Sequence, residues 1–304
     1  MEESELFDDD GRIRADDESP LLLERLHRAL AWWNVRRLRA EQPTRRWRDE
    51  IEEDLRMRSL QGEWIEAECA ALAPWVRDLP RTSDGFLRWF ESLRLARHGH
   101  RDAIPGSPAR PVTLDEVRWW MRQELAAGSG LEAVMALLRL RLPDLPEVAR
   151  AVPVAGRERL VRLGRLVGVE SEGLRAVWES LAVANLDVAL AFSRHHAWHA
   201  VGALGAVVLT AADRTNRFAR ALRRLGLDVE EADLPGERAQ AARWLRAVLV
   251  PRVDEDPDRI PWLAEGAMLR LRAAVRSDRR CWSELGLSEP DSDASGPTPP
   301  PWSR

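Results

Sequence analysis

From about residue 20 to residue 285 the apolar residues recur three and four apart, and this spacing constrains the fold more than any other feature of the chain. Leu22, Leu26, Ala29, Leu30 and Trp33 share one helical face, while Arg25, Arg28, Arg36 and Arg39 spread around the other. The same period predicts helices over 45–76, 84–97, 131–142, 157–167, 173–192, 213–225, 239–249 and 262–285. Between them, Thr113-Leu-Asp-Glu116 reads as a capping box, because each of its end residues can satisfy a backbone N–H that the first turn leaves unpaired. The helix it opens runs through Trp119, Trp120 and Leu125 and stops at Gly128-Ser-Gly130. No stretch alternates as a half-buried strand does, and the β-friendly run Ala206 to Leu209 lies inside a helical pattern. The reading is all-α.

At 304 residues the chain is long enough for one large helical domain or two small ones. The Pro- and Gly-rich loops at 102–111 and 144–156 join helices of one bundle length, which favours a single bundle over residues 19–287. A boundary near residue 110 is the alternative. Residues 1–18 are acidic and aperiodic, so a disordered arm is expected there. Residues 288–304, rich in Ser, Pro and Asp, are expected to form a disordered tail.

Composition excludes several chemistries. All 46 basic residues are arginine and tyrosine is absent, so there is no Schiff-base lysine, P-loop lysine or tyrosyl radical. A net charge of −4 provides no basic surface for nucleic acid or an anionic membrane. Cys69 and Cys281 are too few for a disulfide scaffold and lack CxxC spacing, which points to a reducing compartment. The opening MEESELFDDDG lacks the features of a signal peptide, and the apolar run Ala200 to Leu209 is about half a membrane span. A cytoplasmic protein is expected.

Several residue types have spacings that can carry chemistry. His195 and His199 are four apart, so on one helix they share a face and can chelate a metal ion, given a further acidic ligand. The plainer reading is an amphipathic helix whose histidines meet solvent or carbonyls. Just after them, Gly202-Ala-Leu-Gly205 is a small-residue segment that lets another helix approach closely. Glu24-Arg-Leu-His27 matches half of a di-iron Glu-x-x-His pattern once, which chance also supplies. His98 and His100 suit the end of a helix, where partial negative charge favours a cation. Glu124 follows Trp119-Trp-Met on an apolar helix; if buried, it must be protonated, paired or metal-bound, and on the surface it would pair with Arg118 or Arg122.

Five segments in order, Arg118 to Glu124, Trp178 to Asn185, Gly202 to Gly205 with Leu209-Thr-Ala, Arg223-Arg-Leu-Gly226, and Ala264 to Leu271, resemble the haem-oxygenase-like iron-containing redox enzymes over roughly residues 85–285. The resemblance implies a multi-helix bundle holding non-haem iron on Glu, His and Asp ligands and activating dioxygen on a small metabolite. Carried over residue by residue, it places Glu124 at the family's Gln-Glu pair, Glu147 near an acid, and Glu237 with Gln240 at the last Asp-x-x-His pair. Two family histidines have no counterpart, so the candidate metal set is Glu124, Glu147 and Glu237, with His195 and His199 as substitutes. Two functions follow from this: an iron oxidoreductase with an altered ligand set, or a catalytically silent bundle that binds a partner protein or small ligand and carries no cofactor. Haem would need a helical histidine facing a cavity, for which His27, His195, His196 and His199 are candidates. The pairs Trp32-Trp33 and Trp119-Trp120 suit a partner interface, a homodimer contact or packing within the bundle.

Overall fold

A computed structural model describes residues 20–38, 47–98, 113–169, 176–229 and 234–285. The described residues are mostly helical, with no strand among them. The helices are α1 (Pro20–Leu38), α2 (Trp47–Leu72), α3 (Ser83–His98), α4 (Leu114–Ala127), α5 (Leu131–Arg141), α6 (Val148–Leu166), α7 (Trp178–Phe192), α8 (Ala197–Arg224), α9 (Leu234–Glu255) and α10 (Ile260–Glu284). The architecture is the all-α, haem-oxygenase-like bundle that the periodicity and the resemblance imply. The acidic segment 1–18, the tail 288–304 and His100 lie outside the described residues.

At α4 the capping box forms in full. Thr113 Oγ1 accepts from the Glu116 N–H, and the Glu116 carboxylate accepts from the Thr113 N–H at 2.8 Å. Three helices, α6, α8 and α9, run well beyond the spans expected from the sequence, and two of them run through proline. The expected loop at 144–156 is instead largely helix, because α6 starts at Val148 and continues through Pro153. Proline has no N–H to donate to the carbonyl four residues back, which here is Ala149. The fully buried Trp244 indole supplies that donor, with Nε1 3.2 Å from the Ala149 oxygen. A tertiary contact thus offsets a local defect that sequence reading took for a break. Likewise α9 starts earlier than expected and runs through Pro251, and 213–225 proves to be the second half of the 28-residue α8.

Helices α8 and α10 form the spine of the bundle. They run parallel, with Gly202 against Leu263 and, fifteen residues further along each helix, Arg217 4.0 Å from Asp278. The approach is possible only because of two glycines. A Cβ on Gly202 would lie 1.9 Å from the Leu263 carbonyl oxygen, and one on Gly266 would lie 1.9 Å from that of His199. The close approach anticipated from Gly202-Ala-Leu-Gly205 is therefore real, and α10 is the helix that exploits it.

The apolar core has two parts. The larger joins α1, α2, α3, α5, α7, α9 and the N-terminal halves of α8 and α10; the smaller is built from α4, α6 and the C-terminal halves of α8 and α10 around Trp120, Phe218 and Trp282. Of the tryptophan pairs, Trp33 and Trp120 are buried, whereas Trp32 is exposed and Trp119 is only partly buried against the smaller core.

Candidate functional site

Four charged side chains meet in the interior. Asp187 of α7 faces Arg270 of α10, whose Nε lies 2.9 Å from Oδ1 and 3.0 Å from Oδ2. Glu124 of α4 faces Arg214 of α8, with Nη1 3.4 Å from Oε2. All four residues are at most 7% exposed. Each charge is buried with a partner of opposite sign, as low dielectric demands. Burial holds the Asp187 carboxyl above the usual carboxylate range, while Arg270 and, more weakly, Arg214 pull it back down. A void of about 10 Å³ lies among Glu124, Asp187, Arg157, Arg214 and Arg270, room for about one water.

The remaining sequence-nominated residues do not join Glu124. Glu147 is exposed and immediately precedes α6. Glu237, in the first turn of α9, forms an ion pair with Arg159 of α6, and Gln240 beside it is exposed. His195 lies in the turn ahead of α8, not on the helix, and is exposed. The shared helical face expected for His195 and His199 therefore does not exist, because the chain turns between Ser193 and His196 before α8 begins. His199 is buried on α8, where its Nε2 lies 2.9 Å from Oε2 of Glu265 on α10.

His199 instead belongs to a cluster that the sequence reading missed. One of its ring nitrogens, the Cys69 Sγ of α2 and a Glu265 carboxylate oxygen all lie within 4.8 Å of one another. Among the described residues, this is the one group of three metal-ligating side chains so close together. The His196 ring packs edge-to-face on His199 with centroids 4.9 Å apart, and His196 Nδ1 lies 2.8 Å from Ser193 Oγ. Burial pushes the Cys69 thiol up to about 12, and the nearby carboxylates Glu265, Glu68 and Glu66 add to the shift. A signal was available in Ala264-Glu-Gly266, where an acid precedes a glycine that could be expected at a helix crossing.

A second hollow, of about 300 Å³, opens between α1, α2, α7 and α10. His27, Trp64 and Trp178 form its aromatic lining, with His27 stacked on Trp178 at 5.4 Å and edge-on to Trp64 at 4.7 Å. The Asn185 amide donates to the His27 carbonyl at 2.9 Å and accepts from the Asn34 amide at 3.0 Å, which fixes this corner of α1 on α7. Burial, with a smaller push from Arg276, lowers the His27 imidazole to about 3, so it is neutral at physiological pH. The polar groups of the hollow are Glu179 and the Glu68–Arg276 pair, joined at 2.6 Å.

Residues 158–275, from the middle of α6 into α10, match the family model described as iron-containing redox enzyme. The chain thus carries this family's pattern over that span, in the bundle described above. No curated protein and no solved structure matches the chain. Glu124 and Glu147 lie ahead of the matched span, while Asp187, His195, His199, Arg214, Glu237 and Arg270 lie within it.

The family is iron-containing, and the donor set nominated here can be tested against that metal. It does not fit. Oxygen-activating iron needs several anionic or imidazole ligands converging on one point. Here Glu124 faces a guanidinium, Glu237 faces another on a different helix, and Glu147 is at the surface. None of the three belongs to a cluster of ligating groups among the described residues.

Proposed function

We propose that this protein is a ligand-binding member of the iron-containing redox enzyme fold, which takes a small molecule into the His27 hollow and does no oxygen chemistry at Glu124. The hollow carries this reading. Its volume of about 300 Å³ is at the lower bound for a metabolite site, and it combines an aromatic lining with a few polar groups at one side. The chemistry favours a flat, mostly apolar molecule that stacks among Trp64 and Trp178. Neutral His27 offers it one hydrogen bond, and Arg276 with Glu68 meets its polar end. Arginine pairing of Glu124 and Asp187 supports the second half of the proposal, because a guanidinium on each buried carboxylate supplies the positive charge that a cation would otherwise bring.

Ligand-observed NMR against a library of planar metabolites tests this directly. Ala182 lines the hollow, and Ala182→Leu fills it without touching either arginine pair. Binders are expected to be lost at least tenfold in this variant, with quenching of tryptophan emission on binding to the wild type alone. Binders that the filled variant retains undiminished, or no binders at all, would refute the reading.

A further inference from the structure

The geometry points to a zinc-class metal site formed by Cys69, His199 and Glu265, one ligand from each of α2, α8 and α10. It is separate from the His27 hollow and from the buried arginine–carboxylate pairs, so it stands or falls independently of the proposed function.

Three observations carry it. First, the donor set suits a borderline-soft dication: a thiol, an imidazole and a carboxylate, the three ligand types zinc takes. In a tetrahedral site with zinc–ligand bonds of about 2.0–2.3 Å, neighbouring donors lie about 3.4–3.6 Å apart. The donors here already lie within 4.8 Å of one another, with His199 and Glu265 at 2.9 Å, so side-chain torsions alone need adjust. Second, His199 is 6% exposed and the nitrogen it turns to the cluster, Nε2, already lies 2.9 Å from the Glu265 carboxylate, so both side chains are held in the interior facing one another. A buried imidazole and carboxylate held together in this way present two ligand atoms to one point before any metal arrives. Third, two of the three ligands sit at the close crossing of α8 and α10. His199 supplies the carbonyl that Gly266 packs against, and Glu265 is the residue before that glycine, so the tightest crossing in the bundle fixes both. Glu66 on α2 adds negative potential near Cys69, while the neighbouring Glu68 is offset by Arg272 and Arg276.

On binding, the Cys69 thiol gives its proton to solvent and forms a sulfur–zinc bond, and the His199–Glu265 hydrogen bond opens as each side chain turns to the metal. No electron is transferred. Three protein ligands leave a fourth position for water. The site would clamp α2 onto the α8–α10 crossing.

The test uses the full chain, stripped with chelator and titrated with Zn²⁺ or Co²⁺ alone. The wild type should retain one equivalent of zinc after desalting, and the cobalt form should show tetrahedral ligand-field bands with a thiolate-to-cobalt charge-transfer band. Cys69→Ser should abolish the charge-transfer band and weaken zinc binding at least tenfold, as should Glu265→Gln, while His195→Ala changes nothing. Zinc should also raise the melting temperature of the wild type and protect Cys69 from alkylation. Well-folded wild type that retains no zinc, a cobalt spectrum without the thiolate band, or retention equal in Cys69→Ser would each overturn the assignment. The wild-type cobalt spectrum decides the matter even if a variant fails to fold.

Discussion

Replacing Gly202 with alanine should break the fold at its tightest point. The added Cβ would lie 1.9 Å from the Leu263 oxygen, 2.7 Å from its carbonyl carbon and 3.0 Å from its Cα. All three are backbone atoms of α10, so no side chain can swing away. Bringing the first contact to the ordinary 3.4 Å demands about 1.5 Å of helix displacement. A gap of 0.5–1 Å already forfeits roughly a quarter to a half of the dispersion attraction between facing atoms, and α8 and α10 face each other along much of their length. Overpacking commonly costs about 1–3 kcal/mol, and a backbone obstacle on both sides puts this substitution at the top of that range or above it. About 3 kcal/mol corresponds to a fall in melting temperature of roughly 6–12 °C for a domain of this size. Gly62→Ala is the control. It lies within α2 with nothing within 4 Å of its added Cβ, so helix propensity alone should stabilise it by about 0.5–1 kcal/mol. Gly202→Ala and Gly266→Ala together should cost less than their sum, because one displacement of α10 relieves both clashes. Thermal and urea unfolding followed by circular dichroism measures the four variants against wild type. A Gly202→Ala protein within about 0.5 kcal/mol of wild type would refute the account of the crossing.

Further outcomes follow from the buried charges. Arg270→Met leaves the Asp187 carboxylate buried without its partner and should cost about 3–5 kcal/mol at neutral pH in urea unfolding. The Asp187 carboxyl is already raised by burial, and losing Arg270 raises it further, so the folded form binds its proton more readily than the unfolded chain. The variant's deficit should therefore shrink as pH falls toward the carboxylate range; a deficit independent of pH would contradict this. His27 behaves oppositely. Its imidazole is lowered to about 3 from 6.5, so the unfolded chain takes up a proton that the fold refuses, and stability falls as pH drops from about 6.5 toward 3. His27→Gln should flatten that part of the stability–pH curve, and an unchanged slope would show that other groups set it. Trp244→Phe removes the indole donor to the Ala149 carbonyl opposite Pro153 and should cost about 1–3 kcal/mol, read by thermal melting; no loss would mean that the indole bond is not needed there.

The fold was legible wherever a local rule had one solution. The helical period, the Thr113–Glu116 box and the small residues at Gly202 each correspond to an observed feature. Sequence reading failed where a distant residue reversed a local cost. Pro153 looked like a break because nothing near it in the chain shows that Trp244 covers the stranded carbonyl. The candidate site was less legible for the same reason. The i, i+4 spacing of His195 and His199 assumes a continuous helix, but the chain turns after Ser193. Glu124 was correctly singled out as an acid on an apolar face, yet its partner is 90 residues away on α8 rather than the nearby Arg118 or Arg122. Cys69, His199 and Glu265 come from three helices, and their proximity is a property of the α2, α8 and α10 packing that no spacing encodes.

The most direct test of the central claim, that Glu124 is held by arginine and not by iron, is an iron count. Wild type and Glu124→Gln would be loaded anaerobically with excess ferrous iron, desalted and assayed for iron per chain. The account predicts that the two retain the same amount. One or two irons held by the wild type and lost in Glu124→Gln would contradict it and restore the oxygen-activating enzyme.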